Sequence, residues 1–334
     1  AEIEQMSDNE AEELFGIRPD FDVPPQSRRK LERIGVLSPV EGGLESEWLS
    51  AQPGALVRAA LLGIDGPLAS RWGHIALRRV LLSRLDSPGN LSPAAFAALR
   101  AQTLNVMGEP LAARALLQDI DSENYTSALA GQALRAALGT GDVLAVCPVA
   151  LRTDDLRDDA RWKMATLICN AYDGDTRYAQ RQIDRMVNNG EVPAIDLRLA
   201  ERFAGAAGDA QRSVTIEWDG VDTLNDWRWG LAAALGVEIP DELISADSRY
   251  QALSATMPAM PLPQRAQAAM FAASRGILSS GALVDLYSQL YAAEGVEGAE
   301  VTRLVRLDDQ RGVGQADAPR LGVVRIGRQD RRGA

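Results

Sequence analysis

Leu104-Asn105-Val106-Met107-Gly108-Glu109-Pro110-Leu111-Ala112-Ala113 is the stretch on which the reading of the fold turns. Helix-favouring residues run up to a glycine, an acid follows, and a proline opens a second helix-favouring run. Glycine supplies the left-handed backbone that ends a helix. The acid suits the positive N-terminus of the next one, and proline suits its first turn. Working outward, the same glycine-acid pair recurs as Gly141-Asp142, Gly174-Asp175 and Gly208-Asp209, at spacings of 33, 33 and 34 residues. Helical runs flank these turns, as in Ser92–Met107 before Pro110–Ile120 and Asp158–Tyr172 before Thr176–Val187. The unit is therefore helix–turn–helix, repeated along 92–212.

With Asn170-Ala171-Tyr172-Asp173-Gly174-Asp175-Thr176-Arg177-Tyr178-Ala179 as a second copy of the turn, the pattern resembles the tetratricopeptide-like superfamily of α-solenoids. The first-helix tryptophan and closing proline of that consensus do not recur. Unit two breaks at Pro148, and in unit four Ser213-Val214-Thr215-Ile216-Glu217-Trp218 reads as extended. The resemblance implies an all-α protein, a superhelical stack of antiparallel helix pairs with a concave surface.

The flanks extend the helical reading. Residues from Gly54, then Pro67 to Leu85, carry apolar side chains at spacings of three and four. Asp86-Ser87-Pro88-Gly89-Asn90 is a break, and Ser92-Pro93 reads as an N-cap followed by proline. Beyond the repeats, helices are expected from Asp222 or Thr223 to Leu235, over Pro240–Ile244, Ser248–Met257, Gln264–Arg275 and Gly281–Ala293. Three regions follow: an acidic, proline-containing segment at 1–47, a helical-repeat domain at 48–302, and a basic, mostly irregular tail at 303–334. Within the first, Leu14, Phe15, Ile17, Phe21 and Val23 suit either an extended strap or a disordered leader.

Composition narrows the chemistry. The chain has 334 residues, 46% apolar but only 5% aromatic, and a formal charge of −11. That balance opposes the basic face needed for nucleic acid or anionic lipid. No apolar run reaches the roughly 18 residues of a membrane span. Lys30 and Lys163 are the only lysines and neither lies in a P-loop; His74 is the only histidine, so a multi-histidine metal site is impossible. Neither cofactor nor metal is expected, and no catalytic residue is assigned. His74 lacks an acid within one helical turn to orient it as a base, and reads as structural. Asp154-Asp155 with Asp158-Asp159 lacks calcium-loop spacing.

Two clusters remain. Trp218, Asp222, Asp226, Trp227, Arg228 and Trp229 mix indoles with charges, as where a sugar stacks between carboxylates. Yet Leu224, Trp227, Leu231 and Leu235 also fit one buried helix face. Cys147 and Cys169 pair in an oxidising compartment or stay as buried thiols in a reducing one. A plain hairpin would leave them about nine residues, roughly 13 Å, out of register, although a return beginning at Pro148 changes that offset. The start at Ala1-Glu2 matches what signal peptidase leaves, or a trimmed chain. The expectation is a non-enzymatic protein–protein interaction scaffold, exported to a bacterial periplasm, with another protein as partner. A cytoplasmic location, and a carbohydrate-binding or carbohydrate-active protein using Trp218–Trp229, are the alternatives.

Overall fold

A computed structural model describes residues 29, 31–152, 156–190, 192–207 and 214–293. The expectations for the 1–28 strap, the 303–334 tail, Asp154-Asp155 and Gly208-Asp209 lie outside the described residues. Within them the protein is all-α, with fourteen α-helices and one two-stranded ribbon.

The chain enters through Arg29, whose backbone N–H donates to Asp121 at 2.9 Å and whose guanidinium reaches the Gln118 carbonyl. Strand β1 (Arg33–Ile34) pairs antiparallel with β2 (Leu85–Asp86), and an Arg33–Asp86 ion pair of 2.8 Å reinforces the register. Between the strands lie α1 (Gly54–Leu62) and α2 (Arg71–Leu82). Helix α2 starts four residues later than the proline suggested. The Ser70 hydroxyl accepts from the Gly73 N–H and so fixes the first turn there. Leu85, expected as the end of that helix, belongs to the ribbon.

The region of the glycine–acid turns follows as α3 (Pro93–Val106), α4 (Pro110–Leu117), α5 (Ser127–Thr140), α6 (Cys147–Ala150), α7 (Ala160–Tyr172), α8 (Thr176–Asn189) and α9 (Ala194–Gly205). Helix α3 starts as read, with Ser92 capping the Ala95 N–H and proline at N1. Gly108, Gly141 and Gly174 all adopt positive φ, at 83°, 69° and 107°, a conformation that other residues enter with strain. The acids behind them differ from expectation: the side chains of Glu109, Asp142 and Asp175 cap no helix N–H. Glu109 and Asp142 are held instead in ion pairs with Arg78 at 2.7 Å and Arg114 at 2.6 Å.

After α9 the chain from 214 to 225 has no regular structure, and the Asn225 side chain caps α10 (Asp226–Ala234). Short helices α11 (Asp241–Ser245) and α12 (Ser248–Thr256) lead to the closing pair α13 (Leu262–Arg275) and α14 (Ser280–Ala292). Helix α3 packs on α4 and α5, α7 on α8 and α9, and α10 lies against both α9 and the earlier α5. Helix α13 returns to α2, where the Arg71 guanidinium donates to the Ala273 carbonyl.

Two helices have two buried faces. Helix α5 gives Leu134, Ala137 and Leu138 to the largest apolar cluster and Leu129 and Ala136 to the cluster under α3 and α4. Helix α12 gives Tyr250 and Leu253 to the former and Ala252 and Ala255 to the cluster under α13 and α14. At roughly 25 cal/mol per Å² of apolar surface removed from water, such sharing lets one helix stabilise both sides of a join. Arg100 of α3 is buried beside the ribbon and donates to the carbonyls of Leu81, Ile34 and Ser83 at 2.8, 2.9 and 2.5 Å. Burial pushes its pKa down to about 9.

Cys147 and Cys169 form a disulfide with Cα atoms 5.3 Å apart. The second element of this unit is a 3-10 turn (Val143–Val146) running into the short α6, so Cys147 opens a helix instead of ending one. The nine-residue offset of a plain hairpin therefore does not arise.

Candidate functional site

The tryptophan-rich segment is placed by the Asn225 cap, which starts α10 so that Trp227 and Trp229 both enter the interior. Their exposures are 0% and 1%. Helix α10 has apolar neighbours on both of these sides, so two indoles that point apart on the helix are both covered. The Trp227 Nε1–H donates to the Asp196 carbonyl at 3.0 Å. The Trp229 ring stacks on Tyr250 with centroids 6.0 Å apart. Trp218 is half-buried and donates through Nε1 to the Glu238 carbonyl at 2.9 Å, while Asp222 is exposed. The six residues singled out from the sequence therefore form no common surface groove. Trp227 and Trp229 serve helix packing, and Asp226 and Arg228 serve as polar anchors.

Arg228 and Asp226 are polar anchors of α10. Arg228 pairs through Nε with Asp196 at 2.6 Å and donates to the Thr223 carbonyl at 2.8 Å. Asp226 is bracketed by Arg135 of α5 at 2.9 Å and Arg249 of α12 at 3.1 Å, and accepts from the Tyr250 hydroxyl at 3.2 Å. Burial and the Asp226 carboxylate hold the Tyr250 phenol well above its ordinary pKa. Both carboxylate oxygens are thus occupied, which leaves Asp226 poorly suited to acid/base work. Beside it, Asn105, Pro110, Arg135, Gly139, Trp229 and Leu253 help to line a cleft whose interior, about 10 Å³, matches one water molecule. A sugar ring does not fit there.

His74 has a partner that its own helix could not reveal. Glu109, 35 residues away in the α3–α4 turn, meets His74 Nε2 at 2.9 Å and also takes Arg78. The imidazole is fully buried, so this group braces α2 against the turn and offers no nitrogen to a substrate. Among the described residues no group of three or more His, Cys, Asp or Glu side chains is arranged to hold a metal ion, and no helix is long and apolar enough to cross a membrane.

The surface tells more than the interior. Of the thirteen large apolar side chains exposed among the described residues, six fall within residues 36–72: Val36, Val40, Trp48, Leu56, Leu62 and Trp72. Helix α1 buries only Gly54 and Val57 and turns Ala55, Leu56, Ala59, Ala60 and Leu62 outward. Trp72, at the start of α2, is 76% exposed. Position-by-position reading missed this face, because its apolar residues fit the period of a buried helix. The signal available was its excess: α1 has apolar residues all around and one charge, Arg58. Comparison of the chain with protein-family models, with curated proteins and with solved structures gives no significant match.

Proposed function

We propose that the protein is a non-enzymatic protein–protein interaction scaffold. Its helix–turn–helix pairs stack in the manner of a tetratricopeptide-like solenoid, and its docking face centres on α1 and the start of α2. The observation that carries this reading is the exposed apolar set Trp48, Leu56, Leu62 and Trp72. Large aromatic and aliphatic side chains left in water are characteristic of partner-binding surfaces, and tryptophan is enriched among residues that dominate such interfaces. The stacking of α3, α4 and α5, and again of α7, α8 and α9, supports the solenoid comparison. The disulfide supports export to an oxidising compartment such as the periplasm.

The test is a paired capture from the host's soluble extract, using the wild-type chain and a Leu56→Asp/Trp72→Ala variant shown by circular dichroism to be folded. A partner retained by the wild type and lost from the variant is the expected result. An equal set of proteins on both baits, or no specific protein on either, would refute the assignment of this face.

A further inference from the structure

The cleft at the join of α3, α5, α10 and α12 has a property that its small size does not explain. Three of its lining side chains each bring a buried polar atom with no hydrogen-bond partner among the described residues: Asn105 Oδ1, Trp229 Nε1 and Arg249 Nε. Six such atoms occur among the described residues, so half of them belong to side chains that line this one cleft. An unpaired buried polar group costs about 1–3 kcal/mol, and a cluster of them calls for a common partner.

The three atoms specify that partner. Asn105 Nδ2 donates to the backbone carbonyl of Gln132 at 3.1 Å and to its side-chain oxygen at 3.2 Å. The amide orientation is thereby fixed, and its oxygen is left as an acceptor. Trp229 Nε1–H and Arg249 Nε–H are donors. Asp226, the carboxylate among the lining residues, already serves Arg135, Arg249 and Tyr250. A cation would face two N–H donors and two guanidinium groups. A halide would face the lone pairs of Asn105 Oδ1. A neutral group that accepts two hydrogen bonds and donates one satisfies all three atoms, and about 10 Å³ admits one water and little more.

We propose that this cleft binds a single ordered water molecule. It donates to Asn105 Oδ1, accepts from Trp229 Nε1–H and Arg249 Nε–H, and bridges α3, α10 and α12. Helix α12 is also the helix shared with the closing pair, so the water sits where the stacked pairs meet the C-terminal helices. The site is independent of the docking face proposed above.

The test uses the full chain, perdeuterated, ¹⁵N-labelled and back-exchanged, in a water-selective cross-relaxation experiment read at the indole N–H groups. A cross-peak to the water line at the Trp229 indole proton is expected. Trp162, whose buried Nε1 also lacks a partner but lies outside this cleft, should show none. A folded Tyr250→Phe variant removes the neighbouring exchangeable hydroxyl and should keep the Trp229 cross-peak, excluding relay through that proton. Absence of the wild-type peak, or its loss in Tyr250→Phe, overturns the proposal. So does a saturable chloride-dependent shift of the Trp229 indole accompanied by loss of the peak, which would make the occupant an anion.

Discussion

Reduction of the Cys147–Cys169 disulfide offers the most direct test of how the middle of the chain is stabilised. The bond closes a loop of sequence separation 22. In the chain-entropy treatment, −2.1 − 1.5R ln n gives about 11 cal/mol/K for such a loop, or about 3.4 kcal/mol at 25 °C. That is a roughly 300-fold change in the folding equilibrium. The native state should contribute little to the difference. Cys169 is buried, Cys147 is partly buried, and both pack in the same apolar cluster, so the thiols remain covered after two hydrogens are added. The assay is urea unfolding of the oxidised chain and of chain unfolded and refolded under a phosphine reductant, with thiol number checked by mass. The oxidised form should be more stable by about 3.4 kcal/mol, and a Cys147→Ala/Cys169→Ala variant should not respond to the reductant. A difference below about 1 kcal/mol with reduction complete would refute the reasoning. It would mean that the unfolded chain already holds these segments together, or that the bond strains the folded one.

Three further outcomes are expected. Arg100→Met leaves three buried carbonyls without their donor, at about 1–3 kcal/mol each, offset in part because a buried guanidinium pushed down to about 9 is no longer held there; a net loss of roughly 3 kcal/mol in urea unfolding is expected, and a neutral result would show that water replaces the donor. Burial raises the Tyr125 phenol to about 12 from its ordinary 10.0, so the folded state keeps a proton that the unfolded state releases. The contribution is full below pH 10 and lost as pH rises to about 12; the stability advantage of the wild type over Tyr125→Phe should shrink across that window, and a constant difference would contradict it. At Gly230 an added Cβ would stand 2.7 Å from the Leu138 carbonyl oxygen; Gly230→Ala should push α10 off α5 and lower stability by about 1–3 kcal/mol, and an unchanged thermal midpoint would show that the two helices can separate freely.

Helix existence was legible because it depends on local signals. Ser92-Pro93, the 33-residue glycine spacing and the three-and-four apolar period each act within a few residues, and the structure follows them at α3, α4, α7 and α8. What was not legible depends on partners distant in the chain. Glu109 lies 35 residues from His74, so the imidazole read as lacking an acid. Nothing local singles out Arg100, because the carbonyls that satisfy it belong to Ile34, Leu81 and Ser83, brought to it by the fold. The indoles of Trp227 and Trp229 point apart on α10, and the sequence could not say that α5, α9 and α12 cover them from different sides. The acids after the glycines suited helix N-termini on electrostatic grounds. The arginines that hold two of them are set by tertiary packing.

The seating of α13 on α2 limits how such a chain can evolve in length. An array open at both ends accepts a duplicated or deleted unit, because each unit touches only its neighbours. Here α13, near the C-terminal end of the described residues, returns to α2, with Arg71 holding the Ala273 carbonyl. Inserting one more pair between α3 and α9 would displace the far end by about a helix diameter, on the order of 10 Å, and carry Ala273 out of reach. Gain or loss of whole units in this region would therefore require a compensating change at the α2–α13 contact, whereas the loops between helices remain free to lengthen.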